Sequence, residues 1–335
     1  MVRTPEYLKK GAKIALVAPS CGCAGEPYLT RLKEAIRLLK EAGYTVVEGP
    51  NIFRDDGLIA SASPREQAEE FMRAYESDAD AIISVGGGEL MCEILPHVDF
   101  DRLSHLTPKW FMGFSDNTNL TFTLTTLCGV KTIYGPCAPQ FCSTPFKMDC
   151  LDALKMLEGK KNFSGYPTWE LTSLVTPENP LAPLNLTEKK IIRAHGYSAP
   201  FSGTLLGGCL DCLVNICGTR FDGVRRFIET NEGGFIWFLE ACDLNPLGIR
   251  RALFELREAG WFERASGFIL GRHLCNDMNI GGVDKYRAAI DMLENFNVPL
   301  LMDVDLGHLP PSLPIMTGGS ATVSFEDGNI RFDYQ

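Results

Sequence analysis

The 335-residue sequence has no apolar run of the roughly 20 residues that a membrane-spanning helix needs. Its first apolar run, from Ile14 to Ala18, is too short for the core of a signal peptide and is typical of a buried strand. We therefore expect no membrane partner and no secretory signal, and we expect a cytoplasmic protein.

The sequence is also short of positive charge. Lys and Arg number 32 against 42 Asp and Glu, which gives a formal net charge of −10. Nucleic-acid-binding proteins present a basic surface to the phosphates, so this balance argues against DNA or RNA as a partner. The length exceeds what one hydrophobic core usually organises, and two domains are expected.

Histidine is scarce, with five residues, and this limits the possible metal sites. Twelve cysteines are scattered along the chain, and the densest group is Cys209, Cys212 and Cys217. A structural zinc site usually needs two Cys pairs or added histidines. Buried thiols packed in a helix explain the group better, and we expect no metal site.

Alternating strands and helices fill the first 150 residues. Five apolar runs predict strands, and they are "KIALVAP", "TVVEGP", "ADAIISVGGG", "KWFMGFS" and "VKTIYGP". Two segments between them, "YLTRLKEAIRLLKEAGY" and "SPREQAEEFMRAYES", have the spacing of amphipathic helices. The alternation predicts an α/β fold with a parallel sheet, in which ligands bind beyond the carboxyl ends of the strands.

The pattern changes twice after the first domain, which we assign to residues 1–160. Residues 161–199 are rich in proline and lack a sustained period, which predicts a linker or surface excursion. Strands and helices resume in residues 200–335, the predicted second domain. Its tail alternates like a β-hairpin around Asp327-Gly328.

Ser115 in "GFSDN" follows a predicted strand and precedes a predicted helix. A serine on such a sharp turn can act as a nucleophile, but the G-x-S-x-G pattern is half met because Asn117 replaces the second glycine. Ser115 or Asp116 could instead cap the helix, and the local sequence alone favours the cap.

A serine nucleophile needs a base and an orienting acid. His273 and His308 both follow predicted strands and are candidates for the base. Glu240 closes the apolar strand "GGFIWFLE" and is the candidate acid. A carboxylate in this position is either paired or turned to water, and both readings stay open.

Seven segments occur in an order that resembles the LD-carboxypeptidase family of serine peptidases, which includes the microcin C immunity protein. They are "GAKIALVAPS", Gly87-Gly88, "GFSDNT", "GTLLGGCL", "FLE", "GFILGR" and "DLGH". The resemblance implies a Rossmann-like parallel-sheet N-terminal domain and a smaller mixed α/β C-terminal domain, with the active site at their interface. It also implies a homodimer and no metal or organic cofactor.

The resemblance assigns roles to particular residues. Ser115 matches the nucleophile, Glu240 the acid and His308 the general base, so the nucleophile comes from one domain and its partners from the other. The backbone N–H groups of Gly88 and Asp116 match the oxyanion hole.

The substrate is left open. The resemblance implies hydrolysis of an amide between an L-centre and a terminal D-residue, with murein tetrapeptide as the leading substrate and a microcin C-type aminoacyl-nucleotide as the alternative. A non-catalytic protein that binds a small ligand in the same cleft is a third hypothesis. Departures from the family pattern at Gly86 and Ala241, and Trp169 as the one interdomain tryptophan, leave the choice unsettled.

A carboxypeptidase must also recognise the terminal carboxylate of its substrate, which calls for a cation or several N–H donors. The predicted loops around the site contain little positive charge. Arg272, at the end of the strand "GFILG", is our first candidate, and Arg251, in the helix after Glu240, is the second.

Overall fold

The computed structural model describes residues 2–275 and 277–335. Its first sheet is built mainly by the N-terminal part of the chain, with the strand order β14-β5-β4-β3-β1-β2. All neighbours in it are parallel except β14, which pairs antiparallel with β5. The strands are β1 (Lys13–Val17), β2 (Thr45–Glu48), β3 (Ala81–Ser84), β4 (Trp110–Gly113), β5 (Thr132–Tyr134) and β14 (Ile315–Thr317).

Helices cover this sheet, as the alternating sequence predicts. They are α1 (Tyr28–Glu41), α2 (Pro64–Glu76), α3 (Phe100–His105), α4 (Thr118–Cys128) and α5 (Met148–Leu157). Helix α2 begins where expected because Ser63 and Glu66 form a capping box and Pro64 occupies the first turn. Strands β3 and β4 are buried along their whole length, as expected for a parallel sheet covered on both faces.

The second sheet has eight strands in the order β6-β16-β15-β10-β11-β12-β13-β9. Strands β10 to β13 form its parallel centre, and antiparallel strands complete both edges. The strands are β6 (Asn162–Ser164), β9 (Arg193–His195), β10 (Phe201–Cys209), β11 (Phe235–Glu240), β12 (Ala265–Gly271), β13 (Leu300–Val304), β15 (Ser320–Glu326) and β16 (Asn329–Tyr334). The helices of this part are α6 (Leu210–Ile216), α7 (Val224–Thr230), α8 (Pro246–Glu258) and α9 (Lys285–Leu293).

This architecture confirms the predicted α/β fold with two parallel-rich parts. The hairpin expected around Asp327-Gly328 is the β15–β16 pair. Within residues 161–199, β6 and β9 join opposite edges of the second sheet, while β7 (Thr168–Trp169) and β8 (Glu188–Lys189) form a small sheet of their own. In the described part of the chain, no helix combines the length and apolar character that crossing a bilayer requires.

Candidate active site

Ser115 lies on a strained turn directly after β4. Its φ of 62° falls in the left-handed region, which non-glycine residues rarely adopt. Its backbone N–H donates to the Tyr134 hydroxyl at 2.9 Å, and a 3₁₀ turn over residues 115–117 leads into α4. The side chains of Ser115 and Asp116 do not cap that helix. The capping interpretation is therefore wrong, and the Ser115 hydroxyl points elsewhere.

A continuous chain of hydrogen bonds joins the three side chains that the resemblance singles out. Ser115 Oγ lies 2.9 Å from His308 Nε2, and His308 Nδ1 lies 2.8 Å from Glu240 Oε2. Glu240 ends β11 and is fully buried, so its carboxylate is paired and is not turned to water. The structure thus brings together residues from both sheets that are up to 193 positions apart in sequence.

Glycine at position 307 allows the His308 loop to approach Glu240. Gly307 has a φ of 102°, and a Cβ atom there would lie 2.7 Å from Glu240 Oε2. Any side chain would therefore push the loop away from the carboxylate.

Tyr134 is a site residue that the sequence analysis missed. Its buried hydroxyl donates to Glu240 Oε1 at 2.5 Å and accepts the Ser115 N–H. With His308 on Oε2, both oxygens of the Glu240 carboxylate have partners. The available signal was a tyrosine closing the apolar strand "TIY", but its two partners lie 19 and 106 positions away, so no local spacing reveals them.

The electrostatics of this group stabilise positive charge on His308. Burial alone would lower the pKa of His308, but the Glu240 carboxylate raises it above its ordinary value. Burial opposes ionisation of Glu240, yet His308 and the hydrogen bond from Tyr134 lower the pKa of this carboxyl. Burial and the nearby Glu240 raise the pKa of Tyr134, so its hydroxyl stays protonated and can donate. An imidazolium formed at His308 is therefore stabilised in place.

Gly88 and Asp116, the predicted oxyanion donors, belong to two segments that are tied together. The buried Asp116 carboxylate accepts from Ser20 Oγ at 2.5 Å, from the Met91 N–H at 2.9 Å and from Asn119 Nδ2 at 3.0 Å. A Cβ atom at Gly88 would lie 2.3 Å from Ser20 Oγ, so only glycine fits there. The Asp116 side chain thus anchors the Gly88 loop against the Ser115 turn, while the role of the two N–H groups stays a prediction.

Two open cavities flank Ser115 and His308. The first, which we call the acidic cavity, is lined by Gly88, Glu89, Cys92, Ser115, Asp116, Asn119, Cys209, Asp211, Cys212, Asn215, Cys242 and Asp243. The second, the histidine-side cavity, is lined by Phe114, Gly135, Pro136, Gln140, Asp149, Gly307, His308, Pro310 and Ser312. Neither lining includes a lysine or arginine among the described residues.

Arg272 is not positioned to read a substrate carboxylate, which corrects our expectation. Its side chain is 3% exposed and forms an ion pair with the fully buried Asp305. It also donates to the carbonyl oxygens of Leu309 and Pro311, which lie in the His308 loop. The guanidinium therefore braces that loop, and Arg272 lines neither cavity.

The other candidate cation and the alternative base also lie apart from Ser115. Arg251 is exposed on α8 and lines neither cavity. His273 is buried near Lys285 and Asp303, and burial lowers its pKa to about 4. It is His308, and not His273, that contacts the Ser115 hydroxyl.

Trp169 is packed against its neighbours, and the three cysteines Cys209, Cys212 and Cys217 lie on or next to α6. The Trp169 ring is 8% exposed and lies 5.0 Å from the Arg272 guanidinium, and its Nε1 donates to the Lys189 carbonyl. Cys209 and Cys212 line the acidic cavity, whereas Cys217 directly follows α6 and is not part of the lining. Residues 2–275 and 277–335 contain no set of three or more His, Cys, Asp or Glu side chains arranged to hold a metal ion.

Comparison with known proteins assigns the family. Residues 14–135 match the LD-carboxypeptidase N-terminal domain, and residues 202–323 match the LD-carboxypeptidase C-terminal domain. The chain belongs to the LD-carboxypeptidase family, a family of serine-type hydrolases.

Relatives within this family have different names. The chain is 27% identical to the microcin C7 self-immunity protein MccF of Escherichia coli, over 91% of this chain and 88% of the relative. It is 26% identical to a probable murein peptide carboxypeptidase of Bacillus subtilis, over 96% of this chain and 91% of the relative. A structure of MccF in complex with glutamyl sulfamoyl guanosine superposes with a TM-score of 0.84 at 25% identity, covering 99% of this chain and 98% of that one.

Proposed function

We propose that this protein is a serine carboxypeptidase that cuts the amide between an L-centre and a terminal D-residue, with murein tetrapeptide as the substrate and D-alanine as the released product. The observation that carries the proposal is the hydrogen-bonded chain from Ser115 through His308 to Glu240, with Ser115 on a strained turn at a strand end. Family membership supports the same reaction class.

Acylation follows from the geometry. Ser115 Oγ attacks the carbonyl carbon while His308 Nε2 takes the hydroxyl proton, and Glu240 stabilises the imidazolium. The Gly88 and Asp116 N–H groups donate to the oxyanion of the tetrahedral intermediate. When the C–N bond breaks, His308 gives its proton to the leaving amine, and an ester on Ser115 remains.

Deacylation repeats these steps with water. A water molecule loses a proton to His308 and attacks the ester carbonyl, and the second tetrahedral intermediate collapses with return of the proton to Ser115 Oγ. The leaving amine must lie beside His308 in the first half-reaction, so we assign the histidine-side cavity to the leaving group. The acidic cavity, lined by Ser115 and Gly88, then receives the acyl side of the substrate.

A microcin-type aminoacyl-nucleotide is the second candidate substrate, because MccF is among the relatives and a neighbouring MccF structure holds glutamyl sulfamoyl guanosine. Two features of this chain disfavour it. Trp169 is packed on Arg272 and does not offer a free ring face to a nucleobase. Carboxylates beside Ser115 would repel an acidic acyl group.

The test is direct comparison of the two substrates. Purified protein and a Ser115→Ala variant are incubated separately with murein tetrapeptide and with a processed microcin C-type nucleotide, and the products are followed by mass spectrometry. We expect D-alanine release from the tetrapeptide by the wild type alone. Cleavage of the nucleotide and not of the tetrapeptide would select the second candidate, and cleavage of neither would contradict both.

The cytoplasmic location and the homodimer belong to this proposal as well, since they rest on sequence pattern and family resemblance. Light scattering of the purified protein tests the dimer, and a mass of one 37.0 kDa chain would contradict it.

A further inference from the structure

Four cysteines line the acidic cavity beside Ser115. They are Cys92, Cys209, Cys212 and Cys242, and all four thiols are free. Cys92 and Cys242 are half-buried, whereas Cys209 and Cys212 are 1% and 8% exposed, so the second pair lies deeper in the protein. The hydrolysis proposed above uses none of these sulfur atoms.

Cys209 and Cys212 form a C-x-x-C pair at the start of α6. Cys209 directly precedes the helix and Cys212 lies in its first turn, a spacing that makes the two side chains neighbours. The Cys209 N–H donates to Thr118 Oγ1 at 2.9 Å, which fixes the backbone of this residue. The two thiols interact with each other. In thiol–disulfide oxidoreductases, C-x-x-C pairs close into disulfides.

The Cys212 thiol also contacts the turn that carries the nucleophile. Its Sγ lies 3.7 Å from the Ser115 carbonyl oxygen and 3.9 Å from Asp116 Oδ1, and both oxygens can accept from the S–H group. Ser115 has a positive φ, and the Asp116 carboxylate anchors the Gly88 loop. Loss of the S–H group would therefore remove a donor where the nucleophile turn and the Gly88 loop are joined.

The surroundings of the pair decide which thiol reacts first. The hydrogen bond between the two thiols lowers the pKa of Cys212 and raises that of Cys209. Burial and the carboxylates of Asp116 and Asp211 hold the pKa of Cys212 above its ordinary value, so the pair reacts slowly at neutral pH. Cys212 still loses its proton before Cys209 and is the more exposed of the two. Cys212 is therefore the attacking thiol.

We propose that Cys209 and Cys212 are a site of reversible oxidation, closed to a disulfide by a peroxide that enters the acidic cavity, and that this disulfide slows hydrolysis at Ser115. The disulfide itself does not depend on the proposed function, whereas its effect on hydrolysis rests on that function. In a reducing compartment such disulfides are usually transient and serve redox sensing.

The oxidation consumes one peroxide for each pair of thiols. The Cys212 thiolate attacks one peroxide oxygen, the O–O bond breaks, and water leaves with the thiol proton, so that Cys212 becomes a sulfenic acid. The Cys209 sulfur then attacks the Cys212 sulfur, the S–O bond breaks, and a second water leaves with the Cys209 proton. Two thiols are oxidised to a disulfide, and hydrogen peroxide is reduced to two waters. An added dithiol reverses the step by exchange.

Peptide mapping of the oxidised protein tests the disulfide directly. The native protein is treated with hydrogen peroxide, free thiols are blocked with iodoacetamide, and tryptic peptides are analysed by mass spectrometry. Residues 194–220 form one tryptic peptide, which holds the pair and Cys217. In the variant Cys217→Ser this peptide should lose two hydrogen atoms and take up no iodoacetamide, and dithiothreitol should restore labelling of both thiols.

The order of attack has its own readout. In Cys209→Ser no disulfide can form, so a sulfenic acid should persist at Cys212 and be trapped by dimedone. A cross-link from the pair to the peptides of Cys92 or Cys242, irreversible oxidation of Cys212, or a pair that stays fully labelled would overturn the proposal.

Kinetics on the same samples test the effect on Ser115. The kcat/KM for murein tetrapeptide should fall by about 3- to 10-fold after peroxide and recover with dithiothreitol, because weak S–H donors are lost. Cys217→Ser, outside the cavity lining, should respond to peroxide as the wild type does. Cys212→Ser should lose the reversible response, and a reversible fall of equal size in this variant would contradict the proposal.

The two readouts separate this inference from the proposed function. If the disulfide forms but the wild type does not hydrolyse the tetrapeptide, the oxidation site stands and the hydrolytic function fails. If hydrolysis depends on Ser115 but mapping finds no disulfide, the hydrolase stands and the oxidation site is rejected. A disulfide that leaves kcat/KM unchanged would overturn the link between the pair and Ser115.

Discussion

The two sheets contribute to the site in different ways. The first sheet supplies backbone in demanding conformations, namely the Ser115 turn with a positive φ and the Gly88 loop where no Cβ fits. The second sheet supplies charged side chains held by partners: Glu240 with His308, and Arg272 with Asp305. The strained turn holds the nucleophile Ser115 in position, whereas the pairing of His308 with the buried Glu240 carboxylate holds the base in position.

Because of this difference, substitutions on the first-sheet side and on the second-sheet side of the site should have different consequences for stability. A strained turn persists only where the surrounding structure enforces it, so a change there alters function with little loss of stability. A buried charge without its partner is strongly destabilising, so changes on the second side endanger the fold itself.

The largest effect is expected on the strained side, at Ser115. Both Ser115→Ala and Ser115→Gly should lower kcat by about 10⁴- to 10⁶-fold, because the nucleophile is lost. They should differ in stability: glycine accepts the positive φ and should raise the free energy of unfolding by about 0.5–1 kcal/mol relative to alanine. Steady-state kinetics and thermal unfolding measure the two effects.

The comparison of the two variants provides its own control, since both lack the hydroxyl. Equal melting temperatures for Ser115→Ala and Ser115→Gly would mean that the turn stores no strain. Activity within tenfold of the wild type in either variant would remove Ser115 from the reaction.

The next effect concerns the charged side, at Glu240. Glu240→Gln should lower kcat by about 10³- to 10⁴-fold, because the imidazolium loses its stabilising carboxylate. The pH profile should shift as well. His308 acts as a base only when neutral, so activity falls as pH drops below its pKa; Glu240 raises that pKa, and its removal should move the acidic limb to lower pH.

His105→Asn is the control for this shift, since His105 is exposed on α3 and its loss should leave the profile unchanged. An acidic limb at the same pH in Glu240→Gln and in the wild type would show that another group titrates.

The two sides of the site also differ in how much of them could be predicted from the sequence. The strand, turn and helix around Ser115 could be predicted because they are contiguous, and the capping box at Ser63 is equally local, but the role of Ser115 came from the family resemblance and not from the local sequence. The partners of Arg272 and Tyr134 are not contiguous with them: Asp305 lies 33 positions from Arg272, and Glu240 lies 106 positions from Tyr134. The sequence therefore predicts that Arg272, at a strand end, faces the cleft, and only the fold reveals that it pairs with the buried Asp305 and lines neither cavity.

The role of Arg272 can be tested through the free energy of unfolding. Arg272→Met leaves the Asp305 carboxylate buried and unpaired, which should lower the free energy of unfolding by about 3–5 kcal/mol. Arg251→Met, on the exposed face of α8, should change it by less than about 0.5 kcal/mol. Urea unfolding of the two variants measures the difference.

Adding Asp305→Asn to Arg272→Met should recover part of the loss, because the uncompensated charge is removed. If Arg272→Met is instead as stable as Arg251→Met and only raises KM, then Arg272 recognises substrate, as the sequence alone suggested, and the bracing role is wrong.

The smallest expected effect lies where the two sheets meet, at Tyr134. Tyr134→Phe removes one hydroxyl, leaving the Ser115 N–H without its acceptor and Glu240 Oε1 without its donor. Each loss costs on the order of 1–3 kcal/mol, so kcat/KM should fall by about 10- to 100-fold. Tyr75→Phe is the matched control, because Tyr75 is equally buried and its hydroxyl also accepts one backbone N–H, from Lys109. It should lose stability but keep kcat/KM. If both variants have wild-type kcat/KM, Tyr134 packs the interface without positioning the nucleophile or the acid, and the strained and charged halves of the site are coupled only through the Ser115–His308 hydrogen bond.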